Sequence, residues 1–222
     1  MSYFAGLLDA RIAIAEAPLT GEPPCLLAGE AIAVAHAVPR RRLEFAKGRD
    51  CARKAMASLG HANASLPRGQ DRMPVWPDEL VGSITHTDGW TASAVARRDQ
   101  GFHAIGIDLE PANELAFDLW DEICTPTERA MLAANCGVTP GVAAHFIFCL
   151  KEAAFKCQYP ISGAMLEFAD LLVDVDAQAG TFAATYQRAV PQFEIRDRLL
   201  GRFAIRDGYI ASAVVVTTER TP

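Results

Sequence analysis

The hexapeptide Ile105-Gly106-Ile107-Asp108-Leu109-Glu110 carries the clearest structural signal in the chain. Its apolar side chains alternate with Gly106 and two carboxylates, which is the two-residue period of a β-strand with one buried face. The pattern therefore predicts a strand that presents Asp108 and Glu110 together on its other face.

A second signature, Phe148-Cys149-Leu150-Lys151-Glu152-Ala153-Ala154-Phe155-Lys156, follows in a helical pattern. Glu152 and Lys156 are four residues apart and share one face of the helix. Because the surrounding positions are apolar, Glu152 and the lysines at 151 and 156 are expected to form a polar line facing a cleft. Three carboxylates beside a lysine would suit a hard divalent cation that carries a phosphorylated ligand. Taken separately, each pair is more typical of ordinary solvated charges.

Length and composition are those of a globular protein. The chain has 222 residues, half of them apolar and 22% charged, enough for one large domain or two small packed units. The formal charge of -6 argues against general nucleic-acid binding. Residues 40–54 nevertheless hold seven basic and two acidic side chains, so this stretch is +5 and the remainder -11. A basic patch on an acidic protein fits a small polyanion or an acidic protein surface.

Cysteine spacing and hydropathy favour a cytoplasmic protein. The six cysteines include no C-x-x-C pair, so we expect reduced, buried thiols rather than a disulfide framework. Asp9 and Arg11 interrupt the N-terminal apolar run, which does not resemble a signal peptide. The longest uncharged stretch, residues 130–150, contains polar residues, glycine and proline, and no membrane span is predicted.

The periodicity predicts an α+β protein. An extended loop is expected over residues 61–82, and Asp88-Gly89 is predicted to form a hairpin turn. Thr125 and Glu128 have the spacing of a helix capping box. The predicted helices cover about 41–59, 114–124, 126–135 and 141–158, the last ending before Pro160, and the strands lie near 10–17, 83–87, 91–97, 103–110, 171–175, 181–187, 202–206 and 209–216.

The chain also contains an internal repeat. Residues 88–95 (DGWTASAV) match residues 207–214 (DGYIASAV), and a helix with a four-residue frame precedes each copy. We therefore predict two pseudo-symmetric subdomains of helix packed on antiparallel sheet, residues 1–104 and 105–222, with the active site in the cleft between them.

Basic side chains mark a candidate anion site. Arg49 and Arg53 share a helix face, and the planar guanidinium fork suits a terminal phosphate. His86 lies among hydroxyls and small residues in Gly82–Gly89, where backbone N–H groups could approach an anion. Arg68 and Arg72 occupy the preceding loop and give a weaker signal.

Several motifs, in order along residues 40–160, resemble the Sfp-type 4′-phosphopantetheinyl transferases, closest to the branch that includes the enterobactin synthase component. Phe148 stands where the family often has tryptophan, and Thr85 stands where many members have serine. Beyond residue 160 the resemblance rests mainly on the repeat. The motifs are Gly48-Arg49 with Ala52-Arg53-Lys54, Arg72-Met73-Pro74-Val75-Trp76-Pro77, Gly82-Ser83-Ile84-Thr85-His86, Ile105–Glu110 and Lys151–Lys156.

The resemblance implies transfer of the 4′-phosphopantetheine arm of coenzyme A to a serine of an apo acyl or peptidyl carrier protein, with release of adenosine 3′,5′-bisphosphate. It implies Mg²⁺ held by Asp108, Glu110 and Glu152, with Glu152 taking the serine proton directly or through a water. Lys156 would offset charge on the leaving oxygen, and His86 would contact the α-phosphate side. The coenzyme A-binding side chains would be Arg41, Arg49, Arg53, Arg72, Thr85, His86 and Lys156.

Two other functional classes remain open from the residues. A Mg²⁺-dependent nucleotide pyrophosphatase would use similar carboxylates with water as nucleophile. A coenzyme A or carrier-protein binding module would leave Asp108, Glu110 and Glu152 without a role. The resemblance favours siderophore or other secondary-metabolite biosynthesis without identifying the carrier, and two self-contained halves suggest a monomer.

Overall fold

The protein folds into two antiparallel sheets flanked by helices, as seen in a computed structural model that describes residues 2–62, 64–69, 71–136 and 138–218, with only the backbone for 132–136. This confirms the predicted α+β class. The helices are α1 (Pro39–Ser58), α2 (Trp120–Ile123), α3 (Pro126–Cys136) and α4 (Pro140–Ser162). The strands are β1 (Ala13–Pro18), β2 (Leu80–Thr87), β3 (Trp90–Arg97), β4 (Phe102–Pro111), β5 (Leu171–Asp176), β6 (Thr181–Tyr186), β7 (Arg198–Arg206) and β8 (Tyr209–Thr217).

The strands form one three-stranded and one five-stranded sheet. Their orders are β1-β3-β2 and β4-β8-β7-β6-β5, with antiparallel pairing throughout. Asp88-Gly89 joins β2 to β3, with Thr87 opposite Trp90, and Gly89 has φ 88°. Asp207-Gly208 joins β7 to β8 in the same way. Each copy of the repeated sequence therefore begins with the two-residue turn of a β-hairpin.

The ends of the two long helices follow from local sequence. α1 begins at Pro39, where a missing N–H is harmless, and Gly60 beyond its end has φ 88°. The Thr139 hydroxyl caps α4 by accepting a hydrogen bond from the N–H of Val142, and Gly163 ends α4 in the left-handed conformation. The expectation that α4 stops before Pro160 is wrong. The proline lies in the last turn, and the helix continues to Ser162, with Ile161 packed against the core.

Residues 114–124 were expected to form a helix, and this is also wrong. The segment contains only a 3-10 turn, Phe117–Leu119, followed by the single turn of α2. Its first residues are instead used by α4: the N–H of Leu115 bonds the carbonyl of Gly141, and the carbonyl of Asn113 contacts His145. The Thr125–Glu128 capping box is confirmed by hydrogen bonds in both directions.

Three hydrophobic clusters place the helices. α4 packs on the five-stranded sheet, and α1 packs on the three-stranded sheet. Between them, Ile105, Ile107 and Leu109 of β4 are buried with Phe4 of the N-terminal segment. The five cysteines whose side chains are described are free, and all but Cys25 are buried. Within the described residues, no helix is both long and apolar enough to cross a membrane.

An N-terminal segment, residues 2–8, joins the two sheets. The Glu16 carboxylate on β1 accepts hydrogen bonds from the N–H groups of Tyr3 and Phe4. Arg206 on β7 donates to backbone carbonyls of Ser2, Tyr3 and Ala5. The Tyr3 ring also lies 5.2 Å from two rings at matching positions of the repeat, Trp90 and Tyr209. The repeated hairpins are thus neighbours. The predicted division at residue 104 falls inside β4 and remains a prediction.

Candidate functional site

A glycine allows α4 to lie close to β4. A Cβ on Gly106 would be 1.9 Å from the carbonyl oxygen of Ala153 and 2.5 Å from the backbone nitrogen of Cys157. No other residue type fits without moving the helix. The side chains of 152 and 156 on α4 are therefore brought beside Asp108, two residues further along β4.

Asp108 is the most deeply buried of the predicted metal ligands. Its Oδ1 accepts hydrogen bonds from the ammonium of Lys156 at 2.6 Å and from the hydroxyl of Thr85 at 2.8 Å. Its Oδ2 is buried and has no hydrogen-bond partner in the described part of the chain. A carboxylate oxygen buried without a partner is costly, and it is suited to a cation or to a ligand not present here.

Glu110 lies on the same face of β4 as Asp108. Its Oε2 accepts a hydrogen bond from Thr87 at 3.0 Å and lies 3.5 Å from Nε2 of His145 on α4. The other ring nitrogen of His145 faces the backbone and side-chain oxygens of Asn113. Burial opposes protonation of His145, but these bonds outweigh it and raise the pKa of His145 above its ordinary value. Both predicted strand carboxylates thus face α4.

Glu152 and Asp108 both contact the ammonium of Lys156. The Lys156 ammonium lies 3.7 Å from Oε2 of Glu152 and contacts Asp108 on its other side. Burial raises the pKa of Glu152; Lys156 opposes this, while Asp108 and Glu110 add to it. Burial disfavours a charged lysine, but Asp108 and Glu152 outweigh it and raise the pKa of Lys156. The lysine is therefore a fixed cation between two acids.

A row of hydroxyls on β2 holds β4 in register with the first sheet. Ser83 accepts a hydrogen bond from the N–H of Ile107, while Thr85 and Thr87 donate to Asp108 and Glu110. Alternate residues of a strand share a face, which explains why all three reach the same neighbour. The described hydrogen bonds give Thr85 an orienting role for Asp108; its predicted contact with coenzyme A stays a prediction.

A cavity of about 340 Å³ adjoins this acidic cluster. One wall is a stripe of α1 in which Arg41, Phe45 and Arg49 recur at the four-residue spacing of one helix face. A narrow loop closed by a bridge between Arg68 and Pro74 forms another wall, and β2 and α4 complete it. The cationic or basic side chains that line it are Arg41, Arg49, Arg68, Arg72, His86 and Lys156.

Arg49 is buried in the wall of this cavity. Its Nε donates to the carbonyl of Leu66 at 2.7 Å, and its guanidinium stacks 4.3 Å from the centre of the Phe45 ring. Burial lowers the pKa of Arg49 to about 10, so the residue is still cationic near neutral pH. The contact with the Phe45 ring and the bond to Leu66 fix the direction of its remaining donors.

His86 lies at the edge of the cavity beside Arg41. Nη1 of Arg41 and Nε2 of His86 are 2.6 Å apart. Because a guanidinium only donates, this contact makes Nε2 the acceptor and places the single ring proton on Nδ1. Burial, followed by the charge of Arg41, lowers the pKa of His86, while Glu44 opposes the shift. His86 is thus neutral around pH 7 in the ligand-free protein.

Arg53 is not among the residues lining the cavity. Its guanidinium makes two hydrogen bonds, of 3.0 and 2.7 Å, to the fully buried carboxylate of Glu30, and another to the carbonyl of Cys25. These contacts give Arg53 a structural role. Its predicted contact with a phosphate stays a prediction, and this geometry does not favour it.

Lys151 does not belong to a polar line facing the cleft, and that interpretation was wrong. The side chain is 1% exposed, and its ammonium lies 2.9 Å from each of three oxygens, those of the Glu128 carboxylate and the carbonyls of Ile123 and Phe168. The side chains of 151 and 152 leave the helix about 100° apart. Lys151 therefore joins α4 to α3, while Glu152 faces the site.

The sequence pattern did not identify two groups of the cavity. Glu44 lines it and contacts Arg41 at 3.2 Å, and Phe155 and Tyr159 of α4 complete one side. The spacing of Glu44 from Arg41 could have placed it on the same helix face. Trp76 lies behind the wall: a Cβ on Gly82, which lines the cavity, would be 2.7 Å from the indole ring.

The predicted ligand set does not form a complete metal site on its own. In the described part of the chain, no three His, Cys, Asp or Glu side chains are grouped closely enough to hold a metal ion. The residues nevertheless fit Mg²⁺, because the unpartnered Oδ2 of Asp108 is a hard oxygen donor. Mg²⁺ commonly uses one or two carboxylates and completes its octahedron with waters and ligand phosphates.

Comparison with known proteins gives two matching family models that together cover most of the chain. Residues 29–96 match the 4′-phosphopantetheinyl transferase N-terminal domain, and residues 104–214 match the 4′-phosphopantetheinyl transferase superfamily. The chain is 38% identical over 192 residues to the 4′-phosphopantetheinyl transferase Svp of Streptomyces mobaraensis, covering 84% of the chain and 77% of the relative.

Two further relatives cover different lengths. The 4′-phosphopantetheinyl transferase PptT of Mycobacterium tuberculosis is 32% identical over 218 residues, covering 91% of the chain and 92% of the relative. Enterobactin synthase component D of Escherichia coli (strain K12) is 40% identical over 124 residues, which is 54% of the chain and 56% of the relative.

Proposed function

Because the chain belongs to the 4′-phosphopantetheinyl transferase superfamily, we propose that its acidic cluster and cavity transfer the 4′-phosphopantetheine arm of coenzyme A to a carrier-protein serine. The observation that carries this proposal is the Lys156 ammonium, which contacts Asp108 and Glu152 and also lines the arginine-rich cavity. A phosphate bound among the arginines would lie beside the carboxylates. The site thus combines anion binding with acid–base groups.

The cavity supports binding of the coenzyme A phosphates. Arg41, Arg49 and Arg72 line it from the α1 and loop sides, and Lys156 lines it from α4. Guanidinium groups held by packing bind phosphate with two parallel hydrogen bonds. We assign these side chains and His86 to binding of the nucleotide phosphates of coenzyme A. We expect the arginines to bind the 3′-phosphate and so to favour coenzyme A over its 3′-dephospho form.

Transfer requires one bond to form and one to break at the β-phosphorus. The serine oxygen of the carrier protein attacks this phosphorus, and the bridging oxygen leaves with the electron pair on adenosine 3′,5′-bisphosphate. Glu152 accepts the serine proton, a task suited to a carboxylate whose pKa is raised by burial. Lys156, fixed by Asp108, offsets the negative charge that grows on the leaving oxygen.

The carboxylates also support a Mg²⁺ site. Asp108 and Glu152, together with Glu110 on the same face of β4, would hold the ion against the pyrophosphate. Bound Mg²⁺ supplies Lewis-acid polarisation of the phosphoryl group and neutralises charge on the leaving bisphosphate. The unpartnered Oδ2 of Asp108 is the feature of this chain that supports it.

Mass spectrometry of an apo carrier protein incubated with coenzyme A and Mg²⁺ tests the function. We expect a gain of one phosphopantetheine mass on the carrier and release of adenosine 3′,5′-bisphosphate. Release of free phosphopantetheine without a carrier product would instead indicate a pyrophosphatase, and an unchanged mixture would indicate a binding module. A panel of peptidyl, polyketide and fatty-acid carriers identifies the carrier class.

Replacement of Glu152 by alanine tests the proposed base. We expect Glu152→Ala to lose at least about a hundredfold in the rate of carrier loading, with an unchanged circular dichroism spectrum. Near-normal loading would remove the assigned role. A control is Glu22→Ala, which removes an exposed carboxylate in the loop after β1, outside the cluster, and which should load the carrier at the wild-type rate.

The biological setting is also a proposal. Similarity to enterobactin synthase component D favours siderophore or related secondary-metabolite carriers as acceptors. We further propose a cytoplasmic monomer, because coenzyme A and apo carriers would be met there and both walls of the cavity come from one chain. Size-exclusion chromatography with light scattering tests the oligomeric state.

A further inference from the structure

A carboxylate lies in the wall of the cavity assigned to phosphate. Glu44 lines the cavity from α1, and its side chain is 14% exposed. A second negative charge near a bound phosphate is repulsive, and the repulsion is strongest where water is partly excluded. On electrostatic grounds alone, the cavity would bind phosphate better without Glu44, so its position there needs a reason.

Glu44 collects three basic groups around one carboxylate. Its Oε1 accepts a hydrogen bond from Nε of Arg40 at 3.1 Å, its Oε2 accepts one from Nη1 of Arg41 at 3.2 Å, and Oε2 lies 4.0 Å from Nε2 of His86. Residues 40 and 41 each lie about one turn before residue 44 on α1. Arg41 is half-exposed, so its guanidinium would otherwise sample many orientations, at a cost in entropy when a ligand fixes it.

The same contacts define the direction of Arg41. Nη1 is used by Glu44 and by Nε2 of His86, whereas neither the Nε nor the Nη2 donor of Arg41 takes part in these bonds. Glu44 also separates the charges of Arg40 and Arg41, which would repel each other in the ligand-free cavity. It thereby keeps two cationic groups and a neutral imidazole in one arrangement.

Arg40 in turn connects Glu44 to the second half of the molecule. Its guanidinium pairs with Asp88 in the β2–β3 turn, and the carbonyl of Asp88 accepts a hydrogen bond from the hydroxyl of Tyr209 on β8. Glu44 is therefore held from outside the cavity as well as by Arg41. Glu44 is also the more buried member of its pair with Arg41, 14% against 48% exposed, so the carboxylate can orient the guanidinium rather than follow it.

We propose that Glu44 is a positioning residue for coenzyme A binding: its carboxylate holds the guanidinium of Arg41 in place, so that the Nε and Nη2 donors, which Glu44 and His86 do not use, meet a phosphate of coenzyme A in a fixed orientation. The inference rests on the proposed function, since it takes the cavity to be the coenzyme A site. It assigns Glu44 no contact with coenzyme A. The orienting effect must then exceed the repulsion between Glu44 and the phosphate.

Measuring the binding of coenzyme A alone, without Mg²⁺ or carrier protein, shows whether Glu44 strengthens binding by orienting Arg41 or weakens it by repelling the phosphate. Isothermal titration calorimetry would compare wild type with Glu44→Gln and Glu44→Asp. Glu44→Gln removes the charge at nearly constant shape, and Glu44→Asp keeps the charge but withdraws it from Arg41 and His86. We expect both variants to bind coenzyme A about fivefold to tenfold more weakly, in keeping with the loss of a charge-assisted hydrogen bond.

A change in coenzyme A affinity in the opposite direction would overturn the proposal. Tighter binding by Glu44→Gln would identify Glu44 as a repulsive charge only, and wild-type binding by Glu44→Asp would mean that its position is immaterial. Asp50→Asn is the matched control: Asp50 is the other acidic residue of α1, pairs with Lys54 at 2.8 Å, and does not line the cavity. It should bind coenzyme A as wild type does.

Two measurements distinguish failure of the proposed function from failure of the proposed role of Glu44. If wild-type protein does not bind coenzyme A, the proposed function fails before Glu44 is considered. If wild type binds and the variants bind more weakly, steady-state kinetics should show a raised KM for coenzyme A with a nearly unchanged KM for the carrier protein. An equal rise in both constants would indicate general damage to the fold and would also contradict a positioning role.

Discussion

At the scale of single residues, Lys156 has the most consequential set of contacts. It reaches Asp108 on one strand and Glu152 on its own helix, and it also forms part of the cavity wall. Its raised pKa keeps it cationic over the physiological range. A lysine held by two acids cannot itself act as a base at neutral pH, which agrees with the proposal that Glu152 accepts the serine proton.

The ionisation of His86 gives a prediction at this scale. Burial and the neighbouring Arg41 lower its folded pKa below the ordinary value of 6.5. The neutral form is therefore preferred in the fold, and the stability contributed by His86 is complete above pH 6.5 and is lost as the pH falls through the folded pKa. Bound coenzyme A phosphates should raise this pKa, because negative charge favours the imidazolium.

NMR titration of the histidine ring signals measures both effects, with His86→Gln identifying the resonance. We expect a midpoint below 6.5 in the free protein and a higher one when coenzyme A is bound. A midpoint that coenzyme A leaves unchanged would place the phosphates away from His86. His103, an exposed histidine on β4, is the internal reference, and adding coenzyme A should not move its ring signals.

The placement of several candidate site residues was predictable from the local sequence pattern. Alternation along β4 correctly placed Asp108 and Glu110 on the face opposite the buried Ile107, and helical spacing correctly put Glu152 beside Lys156. The same reasoning failed for Lys151, because its partner Glu128 is distant in sequence and no periodicity records that pairing. Arg53 was placed by its spacing from Arg49, which carries no information about the buried Glu30.

At the scale of elements, the contact between β4 and α4 builds the site. Gly106 lets the backbone of α4 approach the strand, and the loss of that space would push Glu152 and Lys156 away from Asp108. The contact is with backbone atoms of the helix, so a side-chain rotation cannot relieve it. The space at Gly106 therefore sets how closely α4 can approach β4.

Gly106→Ala should therefore be strongly destabilising and inactive. We expect a loss of about 3 kcal/mol or more in the free energy of unfolding, the upper range for overpacking, measured by urea denaturation. Gly48→Ala is a graded control, since its Cβ would be 3.1 Å from a methyl group of Ile84 that can shift. Equal stability of Gly106→Ala and wild type would show that α4 can move away without cost.

Errors at the element scale had tertiary causes. The helical pattern over 114–124 was overridden because Asn113 and Leu115 bond to α4 through their backbones. Pro160 is a reliable helix breaker in a helix interior, but here it lies in the last turn, where Gly163 ends the helix. β2 begins at Leu80 rather than 83, since its first residues pair with the end of β3.

At the scale of the whole molecule, the N-terminal segment, residues 2–8, connects the two sheets that carry the repeated hairpins. Glu16 of the first sheet accepts hydrogen bonds from N–H groups of this segment, and Arg206 of the second sheet donates to its carbonyls. The ring of Tyr3 contacts both repeated hairpins. Since the cavity is also lined from both sides, the relative placement of the sheets affects ligand binding.

Arg206→Gln should weaken this connection. We expect a loss of about 1–3 kcal/mol in unfolding free energy, because charge-assisted bonds to three carbonyls are removed, and a raised KM for coenzyme A. Arg202→Gln, an exposed arginine on the same strand, is the matched control and should change neither quantity. Wild-type values for Arg206→Gln would mean that the segment does not hold the sheets together.

The α+β class and the hairpin repeat were predictable because Asp-Gly turns and alternating residues are local signals. The attachment of residues 2–8 was not, since it depends on Glu16 and Arg206, which read as ordinary surface charges. Nor does periodicity reveal that the sheets contain three and five strands. Long-range pairing sets those features.

The close packing of Trp76 against Gly82 has an optical consequence. The indole ring lies directly behind a residue of the cavity wall, and its Nε1 is buried without a hydrogen-bond partner among the described atoms. Indole emission responds to nearby charge and polarity, and the chain has only three tryptophans. The protein thus carries a natural fluorophore behind the wall of its cavity, and we expect a bound ligand to change its emission.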